Sequence, residues 1–313
     1  MKHNYCMMAK KYKIMHVMLH RDSGGVGVVF DQYNRVLNDS YDIISLIHPD
    51  CQNKPSITAN TQHCIEMPMH KNFLLTALHL RKLIKKHHIN LVIGHGSKAL
   101  NLMAVGMMGL ATPKISVRHK FFSSKFSAFQ WRLKADISIS VNKKIAADIG
   151  KNAHTIYNAV ISQPPPDIKA QPLIELSRPI RIGFLGRIVH DKGVQFIIKA
   201  LGLLSAKKHL SYEVLIGGDG KYVQALKNLV FLHGLDKYVK FIKYVYDKKQ
   251  FFDYIDIFCL PSLNESFGLV LIESMTYGVP VIASDIDGIN EVVEHEKIWH
   301  LNLALKPKPV CYC

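Results

Sequence analysis

Short apolar segments alternate with longer amphipathic segments along most of this 313-residue chain. The apolar segments, such as Lys13–Leu19 and Ile180–Leu185, have the length and branched side chains of buried strands, and helical periodicity follows them. A strand that leads through a helix to the next strand predicts a parallel sheet covered by helices. The alternation runs once on each side of the prolines Pro164–Pro166. We therefore predict an α/β protein with two Rossmann-like domains.

The predicted domain boundaries follow changes in composition. Residues 1–165 are predicted to form the first Rossmann-like domain, and residues 180–296 the second. Residues 166–179 form the predicted linker, because the proline run and the polar stretch after it cannot continue regular structure. Residues 297–313 contain Pro-Lys-Pro, end in Cys-Tyr-Cys and are predicted to form an atypical tail.

Most of the excess positive charge lies in the N-terminal half. Residues 1–165 contain 22 Lys and Arg against 8 Asp and Glu, a net +14, whereas the remainder contains 18 against 16, a net +2. Such a half suits an anionic partner, for example phosphate-bearing lipid, acidic glycan or nucleic acid, although charge alone does not name the partner. No nucleic-acid-binding motif accompanies the charge, so we expect no nucleic acid.

The cysteines and the apolar runs limit the compartment. The six cysteines form neither paired zinc spacings nor an evident disulfide framework, which favours a reducing, cytoplasmic location. The longest apolar run, Leu102–Ala111, is much shorter than a membrane span. We expect a cytoplasmic protein, at most peripheral on the inner face of a membrane, with no metal and no cofactor.

One segment suggests contact with a membrane surface. Within Arg118–Lys134, basic residues are interleaved with aromatic ones, and Phe122, Phe126 and Phe129 share one helical face. Such a face could lie in an anionic membrane interface, or it could pack on the N-terminal sheet.

The strongest local motif is the run from Asn264 to Glu273, where a predicted strand leads into a predicted helix, Gly268–Tyr277. Its two carboxylates, Glu265 and Glu273, are eight residues apart, about 12 Å at the helical rise, which matches the reach from the sugar of a nucleotide sugar to its ribose. A helix N-terminus attracts phosphate, and a carboxylate can accept two hydrogen bonds from a vicinal diol. A capping glutamate and a surface glutamate explain the pattern equally well.

Two glycine-containing loops provide further candidates. In Gly186–Gly193, the planar guanidinium of Arg187 and the point charge of Lys192 are suited to phosphate oxygens and could stabilise a leaving diphosphate. A solvated basic loop is the alternative. The loop Gly24–Gly27 follows the first strand and could approach a phosphate closely, but it lacks the full dinucleotide-binding pattern and is also explained by a tight turn.

In combination, these motifs resemble the retaining GT-B glycosyltransferases of family 4, the glycosyl transferases group 1. Four elements occur in the order and spacing of that family's donor-binding domain: Glu265 with Glu273, the G-R-x4-K-G loop Gly186–Gly193, the turn Gly217–Gly220 and the run Gly278–Ala283. The N-terminal half is similar but looser, in three segments: Gly24–Gly25, Ile93–His95 and Ile115–His119. The resemblance covers about residues 12–294.

The resemblance implies a GT-B fold, with an acceptor-side domain and a nucleotide-sugar-binding domain facing each other across a cleft. It assigns Arg187 and Lys192 to the donor diphosphate and Glu273 to the ribose. It assigns the transferred sugar and phosphate to Glu265 together with three backbone amides, those of Phe267, Gly268 and Leu269. In the first domain it places Gly25 near the phosphate and His119 beside the reacting carbon. His119 could equally be a core histidine.

The implied reaction moves a sugar from a nucleotide sugar to a glycan or lipid-linked acceptor with retention. The same-face displacement would depend on stabilisation of the leaving group and exclusion of water. The predicted catalytic residues are His119, Arg187, Lys192 and Glu265. The basic N-terminal half suggests an envelope polysaccharide or lipopolysaccharide acceptor and an anionic membrane surface.

After Glu294 the motifs of the family end, so we expect an incomplete C-terminal domain, from a truncated or shifted reading frame. Several alternatives remain: a related GT-B sugar-nucleotide epimerase, a truncated relative that binds without catalysis, and a basic nucleic-acid-binding protein. A dinucleotide oxidoreductase is disfavoured, because the glycine-rich loop lacks the full fingerprint.

Overall fold

The computed structural model describes residues 12–21, 24–52, 54–61, 63–132, 134–160, 178–205, 211–245, 247–293 and 310–312. The chain divides into two compact units, residues 1–158 and residues 159–313. Most of the predicted linker and tail lies outside the described residues. No described helix has both the length and the apolarity that crossing a bilayer requires.

The first unit is a seven-stranded parallel sheet with helices between its strands. Its strands are β1 (Lys13–Met18), β2 (Asp42–Ile47), β3 (His63–Glu66), β4 (Leu91–His95), β5 (Lys114–Arg118), β6 (Ile137–Ser140) and β7 (Ala153–Thr155). Its helices are α1 (Gly25–Asn38), α2 (Lys54–Ala59), α3 (Phe73–Lys86), α4 (Gly96–Gly106), α5 (Lys125–Arg132) and α6 (Lys143–Ile149). The strand order is β3-β2-β1-β4-β5-β6-β7. Strands β2 and β3 are added on one side of β1, and β4 to β7 on the other, so the strand order reverses between β1 and β4.

The second unit has a six-stranded sheet. Its strands are β8 (Ile180–Leu185), β9 (Tyr212–Gly217), β10 (Val239–Ile242), β11 (Ile257–Leu260), β12 (Val281–Ser284) and β13 (Val310–Tyr312). Its helices are α7 (Val194–Ser205), α8 (Val223–Leu232), α9 (Lys248–Tyr254) and α10 (Leu269–Thr276). The order is β10-β9-β8-β11-β12-β13, in which β13 runs antiparallel to β12 and the other pairs are parallel. The reversal here lies between β8 and β11.

Burial explains why these segments become central strands. In β1 and β2 every residue after the first is buried, because helices cover both faces of a parallel sheet. In the second unit the fully buried Phe184, Phe252 and Phe258 lie in one continuous core between the sheet and its helices. Side-chain caps define helix starts: Asn72 accepts from Leu74 N–H at α3, and Asn142 accepts from Ile145 N–H at α6.

The aromatic segment predicted to face either a membrane or the sheet contains α5, and part of it packs on the sheet. Trp131 is buried and its indole N–H donates to Ser116 Oγ at 2.9 Å. The Arg118 guanidinium lies 4.3 Å from the ring centre of Phe122 and 4.8 Å from that of Trp131. The side chains of Phe126 and Phe129 are not among those described.

Candidate functional site

The carboxyl ends of the parallel strands of the second unit meet at one edge of its sheet. The chain reverses between β8 and β11, and the loops that follow these strands, residues 186–193 and 261–268, lie side by side at this edge. In open α/β sheets the crevice outside such a reversal is where ligands bind. Five residues predicted from the sequence lie in these two loops: Arg187, Lys192, Glu265, Phe267 and Gly268.

The two loops contact each other backbone to backbone. Gly193 has φ +74°, and a Cβ added there would lie 1.7 Å from the carbonyl oxygen of Pro261. The N–H of Leu263 donates to the carbonyl oxygen of Asp191 at 2.8 Å. A side chain at Gly193 would therefore separate the loops that carry Lys192 and Glu265.

The loop after β9 joins the same assembly. A Cβ at Gly218 would lie 1.9 Å from the carbonyl oxygen of Gly186, and one at Gly220 would lie 2.2 Å from that of Ile188. The N–H of Ile188 donates to the carbonyl oxygen of Asp219 at 2.8 Å. The Gly217–Gly220 turn thus supports the backbone on either side of Arg187.

The charged side chains at this edge form an ion pair beside an exposed arginine. Lys192 Nζ donates to Glu265 Oε2, and their side chains are only 19% and 17% exposed. Arg187, at the start of the loop, is exposed. Partial burial strengthens the electrostatic interactions of Lys192, and the loop that carries it also carries the exposed Arg187, so both cations belong to the edge where an anion would bind.

Helix α10 begins later than predicted. Gly268 caps it in the left-handed region with φ +78°, and the first helical residue is Leu269. Glu265 lies in the loop before the helix, as predicted, and Glu273 lies within the helix, so the helical rise covers only part of the eight-residue spacing between them. Phe267 is buried, and the first N–H groups of α10 face the same edge, where they favour an anion.

Glu273 is nearly buried and has a partner that sequence analysis missed. Its carboxylate accepts from Lys248 Nζ at 2.6 Å, and its side chain is 11% exposed. Lys248 is the first residue of α9, where a positive charge opposes the helix dipole. A lysine at this unfavourable position in the sequence indicates that its charge interacts with a group outside the helix.

The corresponding edge of the first unit carries the other two predicted residues. Gly25 is the exposed first residue of α1, and His119 directly follows β5. His119 Nε2 lies 2.8 Å from His95 Nδ1, and His95 Nε2 lies 2.6 Å from Nε2 of His16 in β1. His16 and His95 were missed as functional candidates, although histidine is uncommon inside a central strand.

Burial keeps these imidazoles neutral. It lowers the pKa of His16 to about 4, against a smaller upward effect of the hydrogen bond to Asn34. It lowers the pKa of His119 to about 3, with further contributions from His20 and Arg118, and it also holds the pKa of His95 well below its ordinary value. At neutral pH each ring therefore has one donor and one acceptor nitrogen.

The first unit is expected to lose stability in mild acid because of His16. In the unfolded chain His16 binds a proton below its ordinary pKa of 6.5, whereas in the folded chain it does so only near pH 4. Protonation of His16 therefore favours the unfolded state, so the folding free energy is fully retained above pH 6.5 and decreases toward pH 4. Between pH 7.5 and 4.5 the loss from His16 is on the order of 2 to 3 kcal/mol. Denaturant unfolding across this range should show a shallower pH dependence in His16→Gln, and an unchanged one when the exposed His154 is replaced with Gln. An equal slope in all three proteins would contradict the expectation.

A family model matches much of the second unit. Residues 167–306 match the family model of the glycosyl transferases group 1. This glycosyl transferases group 1 region contains the ion pair Lys192–Glu265, the ion pair Lys248–Glu273 and Arg187. The match continues past Glu294 to residue 306, which corrects the expectation that similarity to the family ends at Glu294.

Curated relatives resemble part of the chain. An uncharacterized glycosyltransferase of Methanocaldococcus jannaschii is 30% identical over 37% of this chain and 30% of its own length. D-inositol 3-phosphate glycosyltransferase of Jonesia denitrificans is 38% identical over 37% of this chain and 29% of its own length. The O-antigen biosynthesis glycosyltransferase WclY of Escherichia coli is 35% identical over 34% of this chain and 29% of its own length. The chain thus matches about a third of each relative.

Solved structures match over most of the chain. The Anabaena HepE structure in complex with UDP and glucose has a TM-score of 0.76 at 21% identity, over 91% of this chain and 83% of that chain. Sucrose-phosphate synthase of Thermosynechococcus elongatus has a TM-score of 0.72 at 16% identity, over 90% and 84%. These likenesses show the predicted GT-B fold of two Rossmann-like units.

Proposed function

We propose that this protein is a glycosyltransferase that takes a sugar from a nucleotide-sugar donor and transfers it to a glycan or lipid-linked acceptor. The observation that carries the proposal is the position of Lys192, Glu265 and Arg187 on two interlocked loops at the strand-order reversal of the glycosyl transferases group 1 region. A strand-order reversal with lysine and arginine in the loop beside it suits a nucleoside diphosphate.

The proposed mechanism is electrostatic. As the bond between the sugar and the diphosphate breaks, negative charge grows on the diphosphate oxygens. Lys192 and Arg187 stabilise that charge with little movement of the backbone, because the backbone contacts at Gly193 and Gly218 already hold their loops. Lys192 then divides its hydrogen bonds between phosphate and Glu265, and Glu265 accepts from hydroxyl groups of the sugar. We infer that Glu273 binds the ribose diol with Lys248 beside it.

The finer assignments rest on resemblance. We infer a uridine diphosphate sugar as donor, since structures of HepE contain UDP, UDP with glucose, and UDP-glucose. Retention by same-face displacement follows from resemblance to family 4, and no metal or other cofactor is part of the proposal. Among the described residues, no group of three or more His, Cys, Asp or Glu side chains is arranged to hold a metal ion.

The proposed acceptor belongs to the cell envelope. Partial relatives include the O-antigen enzyme WclY, and a structural neighbour is the lipopolysaccharide outer core galactosyltransferase WaaB, with a TM-score of 0.64. Helix α3 exposes Phe73, Leu74 and Leu78 and ends in Lys85 and Lys86, which supports peripheral binding to an anionic inner membrane face. Failure to co-sediment with anionic vesicles at low salt would remove the membrane part of the proposal.

Nucleotide binding is the test of the donor site. We expect UDP and one UDP-sugar to raise the melting temperature more than GDP- or ADP-sugars do. Arg187→Ala is expected to weaken UDP binding by about 10- to 100-fold, the effect of losing a charge-assisted hydrogen bond. Arg181→Ala is the matched control, because Arg181 lies at the amino end of β8, at the opposite edge of the sheet, and stacks on Tyr254.

A folded wild-type protein that no nucleotide stabilises would contradict the proposal. Once an acceptor is identified, retention is tested by using an α-linked donor and determining the anomeric configuration of the product by NMR. Conversion of the donor sugar without any acceptor would instead favour an epimerase.

A further inference from the structure

Four side chains inside the first unit form a continuous hydrogen-bonded line. Asn34 Oδ1 lies 2.6 Å from His16 Nδ1, His16 Nε2 lies 2.6 Å from His95 Nε2, and His95 Nδ1 lies 2.8 Å from His119 Nε2. Asn34, His16 and His95 are fully buried. The line starts on α1, crosses β1 and the end of β4, and reaches the carboxyl edge of the sheet after β5. It therefore connects a buried amide with a residue that sequence analysis placed at the reacting centre.

Aromatic packing fixes the rings of this line. Phe30 stacks on His16 with ring centres 3.9 Å apart, and Tyr33 meets His95 edge-on at 5.4 Å. His95 and His119 stack with ring centres 5.0 Å apart and planes 22° apart. Because the rings are held in place, each nitrogen keeps its neighbour in the line.

A line of neutral imidazoles can have only one of two hydrogen-bond directions. When Asn34 Oδ1 accepts from His16 Nδ1–H, His16 Nε2 must accept from His95 Nε2–H, and His95 Nδ1 must accept from His119 Nε2–H. Nδ1 of His119 then has no hydrogen and can only accept. If the amide were turned, every bond would reverse and Nδ1 of His119 would become a donor.

The surroundings favour the neutral line. Burial lowers the pKa of each of the three histidines, and His20 after β1, Arg118 on β5 and Lys120 further lower the pKa of His119 at the outer end of the line. Tyr33 faces the line from α1. Burial and the effects of His20, Arg118 and Lys120 oppose an additional proton, which would make one imidazole donate at both nitrogens and break the single direction.

We propose that Asn34, His16 and His95 are positioning residues that hold His119 as the Nε2–H tautomer, with Nδ1 as an acceptor for a hydroxyl group of a sugar substrate. The inference deepens the proposed function and rests on it for the sugar. The tautomer itself is a property of the protein alone, so the experiment can separate the two.

Nitrogen NMR of the ¹⁵N-histidine-labelled full chain tests the tautomer without substrate. Two-bond ¹H–¹⁵N correlations distinguish Nε2–H from Nδ1–H imidazole, and the signal that disappears in His119→Gln assigns the residue. We expect His119 to be the Nε2–H tautomer in the wild type. In Asn34→Leu it should become a mixture, whereas Asn34→Asp, whose carboxylate can only accept, should keep the wild-type tautomer. The exposed His154 is an internal control whose signals should not change.

Kinetics provide the second measurement. Asn34→Leu is expected to lower kcat about 10-fold with the donor KM within 2-fold, and Asn34→Asp should recover most of that loss. An unchanged His119 tautomer in Asn34→Leu, or an Nδ1–H tautomer in the wild type, would overturn the proposal. A tautomer that responds as expected in a protein that no nucleotide stabilises would leave the line intact and reject the proposed function instead.

Discussion

Replacing Lys192 with methionine is expected to lower kcat/KM for sugar transfer by roughly 100- to 1000-fold. Methionine keeps most of the apolar stem but removes the charge that would stabilise the leaving diphosphate. The effect should appear mainly in kcat, because the charge on the diphosphate grows as the bond to the sugar breaks. Steady-state kinetics with the donor found in the binding test provide the measurement.

The control must separate loss of catalysis from loss of the ion pair. Lys192→Met leaves Glu265, which is 17% exposed, without its lysine, and this alone costs stability. Glu265→Gln breaks the same pair but keeps Lys192. Comparing the melting temperatures of Lys192→Met and Glu265→Gln therefore shows how much stability is lost with the ion pair itself. Lys249→Met removes an exposed lysine that pairs with Asp253 on α9, and it should leave kcat/KM unchanged. A Lys192→Met enzyme within 2-fold of wild type would remove Lys192 from the mechanism.

The Gly193→Ala variant is expected to lose about 3 kcal/mol of unfolding free energy or more, along with nucleotide binding. Two costs add: a left-handed backbone for a residue with a Cβ, about 1 kcal/mol, and overlap of that Cβ with the Pro261 carbonyl, about 2 kcal/mol. Relief of the overlap must move the loop that carries Lys192 away from the loop that carries Glu265. Urea unfolding and UDP titration measure the two effects.

Gly234→Ala is the matched control for this variant. Gly234 has φ +64°, close to that of Gly193, but a Cβ added there meets no atom within 4 Å. It should therefore show the backbone cost of about 1 kcal/mol and normal nucleotide binding. Equal stability of Gly193→Ala and Gly234→Ala would show that the close packing of the loops does not explain the need for glycine at residue 193.

The elements that sequence analysis predicted well are those that are buried on both faces. Lys13–Leu19 is observed as the central strand Lys13–Met18, and Ile180–Leu185 was predicted with its observed limits, because continuous apolar runs between turn residues have few alternatives. Strand β3 and helix α2 were not predicted. In β3 no residue is fully buried, so its sequence, His-Cys-Ile-Glu, has no apolar alternation to detect.

The candidate site was predictable where a loop motif follows a strand. Arg187, Lys192 and Glu265 were found this way, and the structure brings Lys192 and Glu265 into contact. Lys248 and the pair His16 and His95 were missed, since they meet their partners only through tertiary packing between elements distant in the chain. The start of α10 was predicted to within one residue, because Gly268, in the left-handed region, marks the end of the loop.

The glycine contacts at the edge of the second sheet restrict how this protein could be redesigned or diversify. At Gly193, Gly218 and Gly220 the packing partners are main-chain carbonyl groups, which no compensating side-chain exchange can make smaller. A mutagenesis library that varies these positions would mostly sample misfolded variants. Exposed neighbours such as Lys221, Tyr244 and Leu263 have no such restriction, and new donor preferences should be sought there.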